Sequence, residues 1–158
     1  MSDFGLGIEK LKNLLSSCVH IEPPIPGRGF QQDLGPSMET HLLHSLANGA
    51  GLVQVNPAYS PRLNEQGDLA FRGLNSDRRL YFEIEFRPNV EKDLVKFQIG
   101  ANTGQLAAAV LILALNRNCV NPGYTTMPEF AKFERVIDEL RPQYPLIMLG
   151  FAGEHRDS

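Results

Sequence analysis

The most regular alternation in the chain lies at 80–86, LYFEIEF. Leu80, Phe82, Ile84 and Phe86 fall on one side of an extended backbone, and Tyr81, Glu83 and Glu85 on the other. This two-residue period predicts a strand. GLVQV at 51–55 and DLAFR at 68–72 also have strand character, the latter setting Leu69 and Phe71 opposite Asp68, Ala70 and Arg72. Asn56 to Gly67, with Pro57 and Pro61, reads as a loop, and Gly73, Asn75, Ser76 and Asp77 as a turn. Helical spacing recurs at Ile8, Leu11 and Leu15 through about Val19, and from about Pro36 to Ala47 with Gly49 beyond the end. Val90, Leu94 and Phe97 at i, i+4 and i+7 predict a helix ending near Gly100. A last helix starts at Pro128, with Phe130, Phe133, Ile137 and Leu140 on one face. The run QLAAAVLILAL at 105–115 is ambiguous: its alanines favour helix, while its length and the bounding Gly104 and Asn116 suit a buried strand. We read it as strand, and PLIMLGF at 145–151 as a second buried strand.

The order α, α, β, β, β, α, β, α, β predicts an α/β fold with a mixed central β-sheet flanked by helices. Each strand–helix–strand unit in it makes two parallel strands joined by a right-handed crossover. The 158 residues suit a single domain, 1–158, in which 1–35 form an N-terminal helix and a Pro-rich linker through Pro23, Pro24, Pro26 and Gly27, and 36–152 the core. A chain of this size buries roughly 70% of its unfolded surface and needs no staple. Accordingly Cys18 and Cys119, outside any CxxC or Cys/His spacing, are expected as reduced, buried thiols. The apolar run at 106–115 is too short for the ~20 residues of a membrane span. The opening MSDFGLGIEKLK lacks the basic-then-apolar pattern of a signal peptide, so a cytoplasmic location is expected, with no membrane partner.

Charge sharpens this picture. Eighteen acids against fifteen bases give −3, which argues against a protein that coats nucleic acid non-specifically. It leaves room for an enzyme whose acids hold cations. Glu83 and Glu85, two apart on one strand, lie roughly 6.5–7 Å apart and point the same way, so they repel unless a cation or solvent screens them. Asp68 lies on the polar side of the preceding strand, and the turn between allows antiparallel pairing that would bring the three acids to one edge. Oxygen-only ligands suit Mg²⁺, for which Mn²⁺ can substitute, and phosphodiester hydrolysis is the reaction that most needs such a site. A solvated polar strand face is the plainer explanation of the same residues.

Asp68, a short loop, the strand ending Glu83-Ile84-Glu85-Phe86 and then Asp93-Leu94-Val95-Lys96 in the next helix resemble the active-site stretch of the PD-(D/E)XK nuclease superfamily. They are most similar to type II restriction endonucleases of the BamHI, BglII and BstYI group. The order of the elements from Pro36 to Ala152 is also similar to that family's. The resemblance implies a restriction-endonuclease-like core acting as a Mg²⁺-dependent endodeoxyribonuclease, and a homodimer cutting a short palindrome in double-stranded DNA. It implies Asp68 and Glu83 as metal ligands with the backbone carbonyl of Ile84 as a third, and Glu39 as an assisting acid from the first core helix. Glu85 stands where most of the superfamily has lysine, and would position or deprotonate the attacking water.

Arg72, Arg78, Arg79, Arg87, Lys92 and Lys96 place six of the fifteen basic residues around these acids. Of these, Arg72, Arg87, Lys92 and Lys96 are the expected phosphate contacts once cations neutralise the carboxylates. In the loop at 116–126, Asn116, Arg117, Asn118 and Asn121 have the side chains that bond base edges in the major groove, although Asn also favours turns. His41 and His44 share a helical face but have no third ligand, and are expected to hold no metal. The competing expectations are a non-catalytic module of the same fold serving DNA binding or assembly, and a nuclease acting on RNA or structured DNA.

Overall fold

The computed structural model describes Asn13 and residues 52–60, 67–73, 76–85, 89–115 and 125–151. These form one five-stranded sheet and two helices, a mixed α/β arrangement. The strands are β1 (Val53–Val55), β2 (Leu69–Arg72), β3 (Arg79–Glu85), β4 (Leu106–Ala114) and β5 (Leu146–Phe151). Helix α1 (Glu91–Asn102) joins β3 to β4, and α2 (Met127–Leu140) lies between β4 and β5. The helices expected at about 8–19 and 36–47 lie outside the described residues except for Asn13, which is helical.

Strand order follows chain order, β1-β2-β3-β4-β5, and the sheet changes character at β3. β1, β2 and β3 pair antiparallel, whereas β3, β4 and β5 pair parallel, as a helical crossover requires. The register Leu69↔Phe82 and Phe71↔Leu80 sets Asp68, one residue before β2, across from Glu83.

The ambiguous segment at 105–115 is a strand. All nine residues of β4 are buried, and it has parallel neighbours on both sides, which explains a continuous apolar run without alternation. A single core joins Tyr81, Ala109, Leu111, Leu113, Leu146 and Met148 of the sheet to Phe97 of α1 and Ile137 of α2. The other face of the sheet is buried as well, through Phe71, Phe82, Val110 and Ile147, with Phe71 and Phe82 meeting edge to face at 5.7 Å.

Local chemistry sets the helix ends. Thr126 and Glu129 form a capping box: the Thr126 hydroxyl accepts from Glu129 N–H, and Glu129 Oε1 accepts from Thr126 N–H at 3.0 Å, with Pro128 in the first turn. α1 starts after Val90, which offers no side-chain cap, and runs two residues past Gly100. The left-handed residue that follows is Gly104, at φ +76°, where a side chain would be strained. No helix among the described residues is long and apolar enough to cross a membrane.

Leu111 lies at the centre of β4 with no exposed surface. Leu111→Ala is expected to lower unfolding free energy by about 2–5 kcal/mol, read as a fall in the urea midpoint at unchanged slope.

Candidate metal centre

β3 delivers Glu83 and Glu85 to the sheet face that carries the helices, because they share the parity of Tyr81 and Tyr81 belongs to the core beneath α1. That face is therefore covered, and the expected solvated strand face is absent at Glu83: it is 2% exposed, and Glu85 is half-buried. Both sit at the carboxyl end of a strand that has just become parallel to its neighbour, the usual place for a ligand site in an open α/β sheet.

The first turn of α1 adds a third acid. Carboxylate oxygens of Glu83, Glu85 and Asp93 all lie within 4.8 Å of one another. Asp93 is fully buried, and neither of its oxygens accepts a hydrogen bond. The helix explains its position: Asp93, Phe97 and Gly100, at i, i+4 and i+7, are the buried residues of α1. An acid thus occupies the inward stripe, and Leu94, expected there, is only half-buried. Asp93 lies within the motif stretch but is not among the expected site residues; its spacing of four from Phe97 is the sequence signal that marks it as inward-facing.

Asp68 approaches from the opposite side. Its Oδ2 accepts the Ile84 N–H at 2.7 Å, and its own N–H donates to Phe82 O at 3.2 Å, so its side chain extends the β2–β3 ladder by one rung. This places it beside Glu83, yet outside the compact group of three. Two lysines one helical turn apart face the acids. Lys96 Nζ is 3.7 Å from Glu83 Oε1, and the half-exposed Lys92 Nζ is 3.4 Å from Glu85 Oε1. Both expected phosphate contacts therefore point at carboxylates in this state. Arg72 Nη1 donates to Gly73 O. Glu39, Arg87, Asn116, Arg117, Asn118 and Asn121 lie outside the described residues.

One further residue, Tyr59, emerges only in three dimensions. Its hydroxyl donates to Glu83 Oε1 at 2.9 Å, its ring stacks on Tyr81 at 4.2 Å, and it meets Phe97 edge-on at 6.0 Å. The loop that carries it is pinned to β3: Tyr81 Oη donates to Ala58 O at 2.7 Å, and Arg79 Nη1 to Asn56 O at 2.8 Å. Gly67 leaves room for the contact, since a Cβ there would stand 2.9 Å from the Tyr59 hydroxyl and 3.1 Å from Glu83 Oε1.

Burial pushes the Glu83 carboxyl up to about 8; the charge of Asp68 adds to the rise, while Lys96 and the Tyr59 hydrogen bond oppose it. Asp93 is raised as well, chiefly by burial, with the adjacent carboxyls of Glu85 and Glu83 adding to the rise. The Tyr59 hydroxyl is driven far above its ordinary range by burial and by Glu83, so it stays a donor. The donor set fits a hard divalent cation, having oxygen ligands only and, in Asp93, two buried oxygens that no donor satisfies.

A raised carboxyl stabilises the fold when protonated. The folded state binds more protons than the unfolded one between pH 4.5, the ordinary value, and about 8, so this contribution is present below that window and lost as pH rises through it. With chelator present, the melting temperature is expected to fall as pH rises from 5 to 8. Glu83→Gln should flatten that slope by removing a pH-dependent stability contribution on the order of a few kcal/mol, measured by thermal denaturation across pH. Comparison of the sequence with protein-family models and with curated proteins finds no match.

Proposed function

We propose that this protein is a Mg²⁺-dependent endonuclease with a restriction-endonuclease-like core, hydrolysing phosphodiester bonds in double-stranded DNA. The observation that carries the reading is the convergence of Glu83, Glu85 and Asp93, with Asp68 at Glu83's other side and Lys96 on its oxygen. Exposed acidic faces do not bury a carboxylate to 2% and leave its neighbour without a donor.

Asp68 and Glu83 would hold the cation, with the carbonyl of Ile84 completing the protein's share as the family resemblance implies. A divalent ion bound there supplies Lewis acidity to the phosphate and lowers the pKa of water. Glu85, at the partly exposed rim, would orient the attacking water and accept its proton. Lys96 brings positive charge from α1 to Glu83, two residues before the position where Glu85 replaces the superfamily's strand lysine. Tyr59 fixes the rotamer of Glu83 through its hydroxyl. Arg72 and Lys92, with Arg87 and the Asn- and Arg-rich 116–121 segment, are the phosphate and base contacts of this reading. A homodimer with one site per strand and a cytoplasmic location belong to the same proposal.

Plasmid DNA incubated with the full chain and Mg²⁺ or Mn²⁺ is expected to be nicked or linearised. Glu83→Ala should slow cutting by about 10²-fold or more, as expected when a metal worth several kcal/mol to the transition state is lost. Intact plasmid under both metals, with defined single-stranded DNA, branched DNA and RNA also uncut, would leave the non-catalytic module as the better account. Cutting confined to RNA or branched DNA would replace the substrate.

A further inference from the structure

We infer that Asp93, together with Glu83 and Glu85, forms a binding site for a divalent cation of the Mg²⁺/Mn²⁺ class, in which the helix residue Asp93 is a direct ligand. This site is distinct in composition from the Asp68, Glu83 and Ile84 set of the nuclease reading, and it requires no nucleic acid. Glu83 is common to both.

Three observations converge on it. The first is distance: ligand oxygens on one ion with bonds of about 2.1 Å lie about 3–4.2 Å apart, so oxygens already within 4.8 Å of one another need only small rotations to share it. The second is the state of Asp93. Its carboxylate has no exposed surface and no hydrogen-bond donor on either oxygen, and it lies on the inward stripe of α1, facing the two glutamates. Burying such a group as an ion is strongly unfavourable unless a cation or a proton satisfies it. The third is the charge count. Asp68, Glu83, Glu85 and Asp93 carry four negative charges when ionised, whereas Lys92 and Lys96 supply two positive ones. The residue of two negative charges is what one divalent cation neutralises.

The site also has an entrance. The Glu85 side chain retains 13% exposure, and Lys92 beside it retains 53%, so an ion can arrive past a lysine that is free to swing into water. An all-oxygen ligand set is the kind that suits the hard cations Mg²⁺ and Mn²⁺.

The test is direct binding to the full chain without DNA. Chelator-treated protein titrated with MnCl₂ in a calorimeter is expected to bind Mn²⁺ with displacement by MgCl₂. Asp93→Asn and Glu85→Gln should each weaken that binding at least about tenfold, the lower bound for disturbing a metal site. Glu91→Gln, an exposed acid in the same helical turn, should leave it unchanged. Tb³⁺ bound at the same acids would show emission sensitised by Tyr59, and that emission should fall in Asp93→Asn. Thermal melts without metal establish that the variants are folded; Asp93→Asn, which replaces a buried carboxyl that no donor satisfies with an amide of the same shape, is expected to melt no lower than the wild type. Wild-type protein that binds no Mn²⁺ at millimolar concentration, or a folded Asp93→Asn that binds it as tightly as wild type, overturns the inference. DNA cutting with unaltered Mn²⁺ binding in Asp93→Asn would sink this site and spare the nuclease reading; Asp93-dependent binding without any cutting would do the reverse.

Discussion

Everything around the site answers to one constraint, the removal of the Glu83 carboxylate from water. A carboxylate at 2% exposure must be held by donors or cations, and here it has a tyrosine hydroxyl at 2.9 Å and an ammonium group at 3.7 Å. Each of these depends on a further layer. Tyr59 can donate only because its ring is clamped between Tyr81 and Phe97 and its loop is tied to β3 through Ala58 and Asn56. Thr103, at the far end of α1, donates its hydroxyl to Tyr59 O at 3.2 Å, so the helix that covers Glu83 also holds the loop that satisfies it. Disturbing the helix, the loop or the strand would reach the same carboxylate.

The change from antiparallel to parallel pairing at β3 makes this arrangement possible. A parallel partner requires a crossover, the crossover is α1, and α1 packs back over the face from which Glu83 and Glu85 project. Because the crossover is short, the helix begins close to the carboxyl end of β3 and its first turn arrives at the acids. The unsatisfied N–H groups of a helix N-terminus favour negative charge, which offsets part of the cost of Asp93 there, and Lys96 follows one turn later toward Glu83. The antiparallel neighbour contributes from the other side, with Asp68 completing the ladder through Ile84 N–H.

Much of this frame was legible in the order of residues. The alternation at 80–86 located β3, and the turn before it allowed the antiparallel pairing with β2 that forms; that Asp68 stands across from Glu83 is set by the register. The strand at 105–115 could be chosen but not proved, because a strand buried on both faces has no period to read. The burial of Glu83 was illegible for a different reason: Tyr81, Glu83 and Glu85 look like a solvated face until the helix that begins at Glu91 docks on it, and docking is a tertiary event. Asp93 was hidden by an equally good apolar reading of its helix through Val90, Leu94 and Phe97. Tyr59, in a loop with no periodicity, carried no local signal at all. The Thr126–Glu129 capping box was readable from its spacing and marks the start of α2 one residue before Pro128.

Electrostatics link the site to the whole chain. The protein's net charge is −3, and four carboxylates against two lysines leave two negative charges in this one cluster when all are ionised. Most of the formal acidic excess is therefore local, and ionised in full without a cation the cluster would repel a phosphate backbone. With a divalent cation it would not, and Lys92, mostly drawn to Glu85 by its charge, would gain freedom to meet a phosphate instead. A set of neutral amides of the same shape would fold at less cost, since buried carboxyls raised in pKa stabilise only when protonated. Local departures from the rule that buried polar groups are satisfied are expected at functional sites, and on the cation-site inference the two orphaned oxygens of Asp93 are such a departure. On the nuclease reading, the ion would then serve twice, stabilising the fold at neutral pH and switching the site from repelling nucleic acid to receiving it.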